Sequence, residues 1–262
     1  MQYKKIRSGA LAAVLVAIAM TLGLVVAPAQ AEPRADSMTI TLVRHGESEG
    51  NASGLIDTSI PGPDLTALGR TQSRQVAELL ADRRFDSVYA SRMVRSQQTA
   101  RPTAQRHHSR VVVKPGFHEI LAGDYEGVPE ADALGTYFAA PLRWLRGDLA
   151  AHTPGAENGV EFKKRVDDSL RSVASAGKTR PVIFSHGGTI MIWSVMSASN
   201  AAEYAGRLQT DPLHNVGRVV LTGSPATGWR IVEWVGDPEL PQVDDECGTG
   251  SLSIEFGSLA PC

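Results

Sequence analysis

Short apolar runs alternate along the chain with stretches in which apolar residues return every three or four positions. The runs at 38–43 (MTITLV), 86–90, 110–113 and 181–184 read as short, buried strands. Two more, at 216–222 and 229–235, flank a turn containing Gly and Pro. Helical patterns lie between them. Segment 65–82 sets Leu65, Leu68, Val76, Leu79 and Leu80 near helical spacing, with Thr66 as a candidate N-cap. Segment 161–174 puts Phe162, Val166, Leu170 and Val173 on one face. Segments 92–107 and 188–196 also read as helices, and 130–148 weakly so. The Gly-, Pro-, Ser- and Asp-rich stretch 52–64 and the segment 114–129 read as loops. Strands alternating with helices predict an α/β sandwich around a largely parallel sheet. In such a sheet a ligand sits beyond the carboxyl ends of the strands.

The two ends of the chain have a different character. Lys4, Lys5 and Arg7 precede an uncharged apolar run at 10–26, and Ala29-Gln30-Ala31 follows as a small-x-small site. This is the pattern of a secretory signal peptide cleaved before Glu32. An uncleaved anchor is the alternative, for which the run is short. No cysteine follows it to carry a lipid, and no stable membrane span is expected after cleavage. The expected organisation is a leader at 1–31, one domain at 38–235 and a Pro-, Asp- and Gly-rich tail at 236–262. The tail holds both cysteines, Cys247 and Cys262, 15 residues apart. In the oxidising space outside the cell such a pair tends to close, and a loop of that size stabilises by about 3 kcal/mol. Losing Lys4, Lys5 and Arg7 moves the formal net charge from −2 to −5. A mildly acidic protein without clustered Lys and Arg is a poor partner for nucleic acid.

Two short motifs fall where the sheet would present a ligand. LVRHGESEGN at 42–51 releases Arg44 and His45 from the first strand, and Gly46 would permit a tight turn there. SHGG at 185–188 places His186 and two glycines at the mouth of a helix, where backbone N–H groups can meet an anion. Taken singly, the first could be a polar strand end and the second a strand-to-helix turn with a satisfied histidine.

Taken together with SRMVRSQQTA at 91–100 and FHEILAGDYEG at 117–127, these motifs resemble the signature of the histidine phosphatase superfamily, branch 1, the phosphoglycerate mutase-like proteins. LTALGRTQSRQV and PGAENGVEFKKRV are similar to further family segments, so the likeness spans about 38–235. The resemblance implies a three-layer α/β/α sandwich and an enzyme that hydrolyses small phosphate monoesters, which the leader would export. It implies that His45 attacks phosphorus, and that Arg44, Arg95 and His186 neutralise the phosphoryl oxygens. Asn51 and Gly187 would add contacts, and Glu119 would be the acid and base. Arginine forks can supply the positive charge such chemistry needs, so no metal or other cofactor is expected. Glu157 is the rival acid, placed where relatives use a structural carboxylate. His118, beside Glu119, and His214 are candidate substrate contacts. His107, His108 and His152 need no function, and Trp144 and Trp193 read as core. Tyr125 and PGAEN at 154–158 depart from the family pattern and are expected to border the substrate mouth. The loops 52–64, 114–160 and 200–215 would shape that mouth. A phosphoglycerate mutase and an inactive binding protein are the alternatives. Against a mutase, 128–160 carries only Arg143 and Arg146 as cations.

Overall fold

The computed structural model describes residues 37–243. The expected signal peptide and the Cys247–Cys262 bridge lie outside these residues.

The elements follow in the order β1 (Met38–Arg44), α1 (Glu49–Ser53), α2 (Ala67–Leu79), β2 (Ser87–Ala90), α3 (Val94–Arg106), β3 (Val111–Val113), α4 (Ala139–Trp144), α5 (Gly159–Ser175), β4 (Pro181–Ser185), α6 (Gly187–Ser197), α7 (Arg207–Thr210), β5 (Arg218–Ser224) and β6 (Gly228–Val235). The strands form one sheet in the order β3-β2-β4-β1-β5-β6. The first four are parallel, and β5 and β6 run antiparallel to their neighbours.

The central strands β1, β2 and β4 are buried on both faces because they are apolar at successive positions, whereas β6 alternates buried and exposed residues. Ile40, Leu42, Tyr89 and Ile183 pack on one side with Phe162, Val166, Leu170 and Val173 of α5 and with Ile190 and Trp193 of α6. Val43, Val88, Ala90, Val182 and Phe184 face the other side, against Val76 and Leu80 and against Ala100 and Ala104 of α3. Helices therefore cover both faces, which makes the expected three layers. Trp144 and Trp193 are buried as expected, their indole N–H groups donating to Ala151 O and Asp167 Oδ1. Thr66 caps α2 by accepting from Gly69 N at 3.0 Å. The short helix α7 lies in the expected loop 200–215, and α1 runs from the LVRHGESEGN motif into the expected loop 52–64. Ser48 and Asn51 form a capping box at α1, and Gly54 closes it with φ 69°. Among the described residues no helix is long and apolar enough to cross a membrane.

Candidate active site

Parallel pairing sets Arg44 beside Ser185 and Ala90 beside Phe184. The residues that follow, His45, Ser91 and His186, therefore emerge together at the carboxyl end of the sheet. His45 N–H donates to Ser185 O and Ser91 N–H to Phe184 O, which extends the ladder into the site.

His45 is 4 % exposed. Its Nδ1 lies 2.6 Å from Gly46 O. A carbonyl can only accept, so Nδ1 holds the proton and Nε2 keeps a lone pair. Arg95 Nε donates to that lone pair at 3.1 Å. Burial first, then the charges of Arg95 and Arg44, hold the imidazole well below its ordinary pKa, so it is neutral at neutral pH. Gly46 does not serve the tight turn expected of it, since its φ lies outside the left-handed region. It is needed for close approach, because a Cβ there would stand 2.6 Å from the Gly69 carbonyl of α2.

Two guanidinium groups flank the imidazole. Arg44 donates to Leu213 O at 2.6 Å, and its buried Nε has no acceptor among the described residues. Arg95, 3 % exposed, donates from Nη2 to Asp57 O, and its Nη1 is likewise unsatisfied. Burial lowers the pKa of both, opposed by the negative charge of Glu119. His186 is fully buried behind His45, with ring centroids 5.0 Å apart, and its Nε2 meets Ser91 Oγ at 2.8 Å. Burial holds its pKa well down too, with Arg95 and His45 adding to the effect. Its buried Nδ1 has no hydrogen-bond partner among the described residues.

Glu119 is held by the start of α6. Its Oε2 accepts from Gly188 N at 3.0 Å, and its Oε1 accepts from Thr189 N at 2.7 Å, Thr189 Oγ1 at 3.0 Å and Ile120 N at 2.8 Å. A carboxylate at a helix N-terminus is favoured by the dipole and the free amides. A Cβ at Gly188 would stand 2.9 Å from Glu119 Oε1, so the second glycine of SHGG makes room for the acid. The two amides beyond Gly187 are thus engaged by Glu119 rather than left for an outside anion. Behind Glu119, Arg165 donates to Gly116 O, His118 O and Glu119 O. Glu157 grips Arg165 with both oxygens, at 2.7 and 2.6 Å. Glu157 is therefore structural, in keeping with the expected preference for Glu119.

These groups open on a cavity of about 260 Å³ lined by Arg44, His45, Asn51, Arg95, Glu119 and Gly187, among others. Its walls come from 48–58, 130–138 and 212–214, of which the last two lie within, and the first overlaps, the loops expected to shape the mouth. His214 lines it; His118, His186, Tyr125 and 154–158 do not. The expectation that Tyr125 and PGAEN border the mouth is thereby corrected. Asn51 Oδ1 accepts from Ser48 and from Asn215 Nδ2, and Asn215 also donates to His45 O. Sequence reasoning missed Ser91, Arg165, Thr189 and Asn215. Ser91 and Arg165 stood inside quoted segments and Thr189 one residue beyond SHGG, but Arg165 and Asn215 act through backbone carbonyls, which no spacing reveals. Among the described residues no cluster of His, Cys, Asp and Glu is placed to hold a metal ion.

The buried histidines make folding sensitive to acid. His118 donates from Nδ1 to Glu119 O at 2.7 Å, and burial followed by Arg165 lowers its pKa to about 4. Between pH 6.5 and about 4 the unfolded chain binds a proton at this residue that the folded chain does not. Its contribution is intact above pH 6.5 and is lost as pH falls through that window. It amounts to about 3 kcal/mol, and His45 and His186 act in the same direction. Calorimetry should show Tm falling from pH 7 to 4, and less steeply in His118→Asn.

A family model described as histidine phosphatase superfamily (branch 1) matches residues 40–236. Over 221 residues the chain is 34 % identical to PE-PGRS family protein PE_PGRS11 of Mycobacterium tuberculosis, covering 78 % of this chain but only 38 % of that protein's length. It is 30 % identical over 209 residues to a Proteus mirabilis protein named "Probable phosphoglycerate mutase GpmB", covering 76 % of this chain and 93 % of the relative. Among solved structures, mycobacterial glucosyl-3-phosphoglycerate phosphatase superposes with a TM-score of 0.63 at 22 % identity, over 77 % of this chain and 100 % of that one. That likeness is one of fold.

Proposed function

The chain belongs to the histidine phosphatase superfamily, branch 1, and on that footing we propose that it hydrolyses phosphate monoesters through a phosphohistidine on His45. One observation carries the reading. An imidazole with its proton fixed on Nδ1 by Gly46 O stands in the wall of a cavity together with the guanidinium groups of Arg44 and Arg95.

In the first step Nε2 attacks phosphorus in line with the leaving oxygen. The N–P bond forms, the P–O bond breaks, and the departing oxygen takes, through Glu119, the proton that the monoanionic ester brings to the site. Arg44 and Arg95 hold the phosphoryl oxygens, where preorganised charge lowers the barrier most. Asn51 Nδ2–H and Gly187 N–H, which line the cavity, are the further donors. In the second step water attacks phosphorus, Glu119 takes the water's proton, and the N–P bond breaks to free phosphate and neutral His45. The arginines supply the charge a divalent ion would otherwise bring, so the reaction needs no metal.

Hydrolysis of p-nitrophenyl phosphate in excess EDTA tests this. Activity should persist, and a loss restored only by added metal would contradict the scheme. Glu119→Gln should release a burst of p-nitrophenolate, whose departure needs no proton, and then turn over about 10²-fold more slowly than wild type. Unchanged turnover would move the acid and base elsewhere.

The Proteus relative's name raises transfer to a second substrate as an alternative to hydrolysis. Arg143 and Arg146, the cations of 128–160, do not line the cavity, and Arg143 pairs with Asp148. This favours hydrolysis. The charged start, apolar run and Ala29-Gln30-Ala31 support export. Protein recovered from the culture medium should begin at Glu32; an intact Met1 held in the membrane fraction would contradict this.

A further inference from the structure

The cavity divides by chemistry. All of its Arg side chains stand at the inner end, as Arg44 and Arg95, and the lining contains no Lys. Much of the remaining lining is apolar, built from Leu55 and Ile56 after α1, Ala133 and Phe138 before α4, Met191 of α6 and Leu213. Leu55 is 41 % exposed at this rim. Besides Arg44 and Arg95, the charged side chains of the lining are carboxylates, Glu119, Asp57 beside Arg95, and Glu130. Asp57 Oδ1 is engaged by Ser59 N and Oγ. Glu130 has no hydrogen-bond or ion-pair partner among the described residues for its carboxylate, although its negative charge reaches Arg44.

We infer that the substrate is a monoester with a single anionic group, its phosphate, carried on an apolar body that bears no carboxylate or second phosphate. The inference rests on the reading of His45, Arg44 and Arg95 as the phosphoryl site. An apolar leaving group loses water against Leu55, Phe138 and Leu213. A second anion would lie against Glu130 and Asp57 with no cation to receive it, and such repulsion discriminates as strongly as a good contact. The remaining titratable side chains of the lining are Glu119, Tyr137 and His214, and the lining has no Arg besides Arg44 and Arg95 and no Lys to offset the carboxylates.

Non-hydrolysable phosphonates separate this inference from the catalytic reading, because binding does not require turnover. Calorimetric titration of the full chain should show benzylphosphonate binding at least about tenfold more tightly than methylphosphonate, as expected for burying several apolar carbons. A carboxylate on the same ring, in 4-carboxybenzylphosphonate, should weaken binding by tenfold or more. Glu130→Lys should narrow or reverse that second difference while leaving the benzyl-over-methyl preference in place. Equal binding of the benzyl and carboxybenzyl compounds, or no binding of either, overturns the inference. If the phosphonates rank as expected while no monoester is hydrolysed, the proposed hydrolysis fails and the account of the cavity stands.

Discussion

Replacing His45 with alanine is expected to abolish turnover of p-nitrophenyl phosphate, with kcat reduced by at least about 10⁴-fold. No other group can take over. His186, whose ring centroid is 5.0 Å away, lies behind His45, does not line the cavity and has its Nε2 at Ser91 Oγ. The buried environment that keeps His45 neutral also bars water from substituting cheaply for it. The fold should tolerate the change. Alanine leaves the His45 N–H on Ser185 O and the His45 carbonyl on Asn215, and these backbone contacts hold the strand end. The check is steady-state kinetics beside a circular dichroism spectrum. Activity within tenfold of wild type in a folded variant would remove His45 from the mechanism.

Arg95→Ala should cost about 10³-fold in kcat/KM, the scale found for a cation that stabilises a transferring phosphoryl group. A second effect identifies the cause. Arg95 donates to His45 Nε2, and its charge helps to hold the imidazole pKa down. Without it the pKa of His45 rises, so the acid limb of the kcat/KM profile moves to higher pH. Arg95→Lys should keep the charge yet recover little rate. Lysine cannot reproduce the fork that touches His45 and Asp57 O together. A rate loss with an unmoved acid limb would mean that Arg95 acts on the substrate alone.

Much of this arrangement is legible in the chain because the sheet reads as runs of apolar residues. β1 and β4 are buried on both faces, so period and length locate them and thereby locate His45 and His186 one residue beyond their ends. The cap at Thr66 and the core face of α5 follow from local rules in the same way. Other features depend on which segments meet in space. Gly46 looks like a turn residue in sequence, yet what requires glycine there is Gly69, brought close by α2. SHGG reads as an anion site, yet Glu119 from a distant loop receives its Gly188 N–H. Arg165 reads as one of many charges on α5, yet it ties down three carbonyls of the Glu119 loop. The helix α1 was hidden by its shortness, although Ser48, Asn51 and Gly54 form a legible cap at each end. The walls of the cavity were legible only as loops. Their apolar and acidic character emerges once 55–57 and 130–138 close over the same space.

The central claim is that phosphate passes through a covalent bond to one nitrogen. Its most direct test is to mix the protein with a monoester, quench within the first turnover in alkali, which preserves a phosphorus–nitrogen bond, and map the phosphate by peptide mass spectrometry. The account predicts a phosphate on His45 at close to one per chain in Glu119→Gln, where the second step is slow, and none in His45→Ala. A phosphate on another residue, or full turnover with none trapped on the protein, would contradict it.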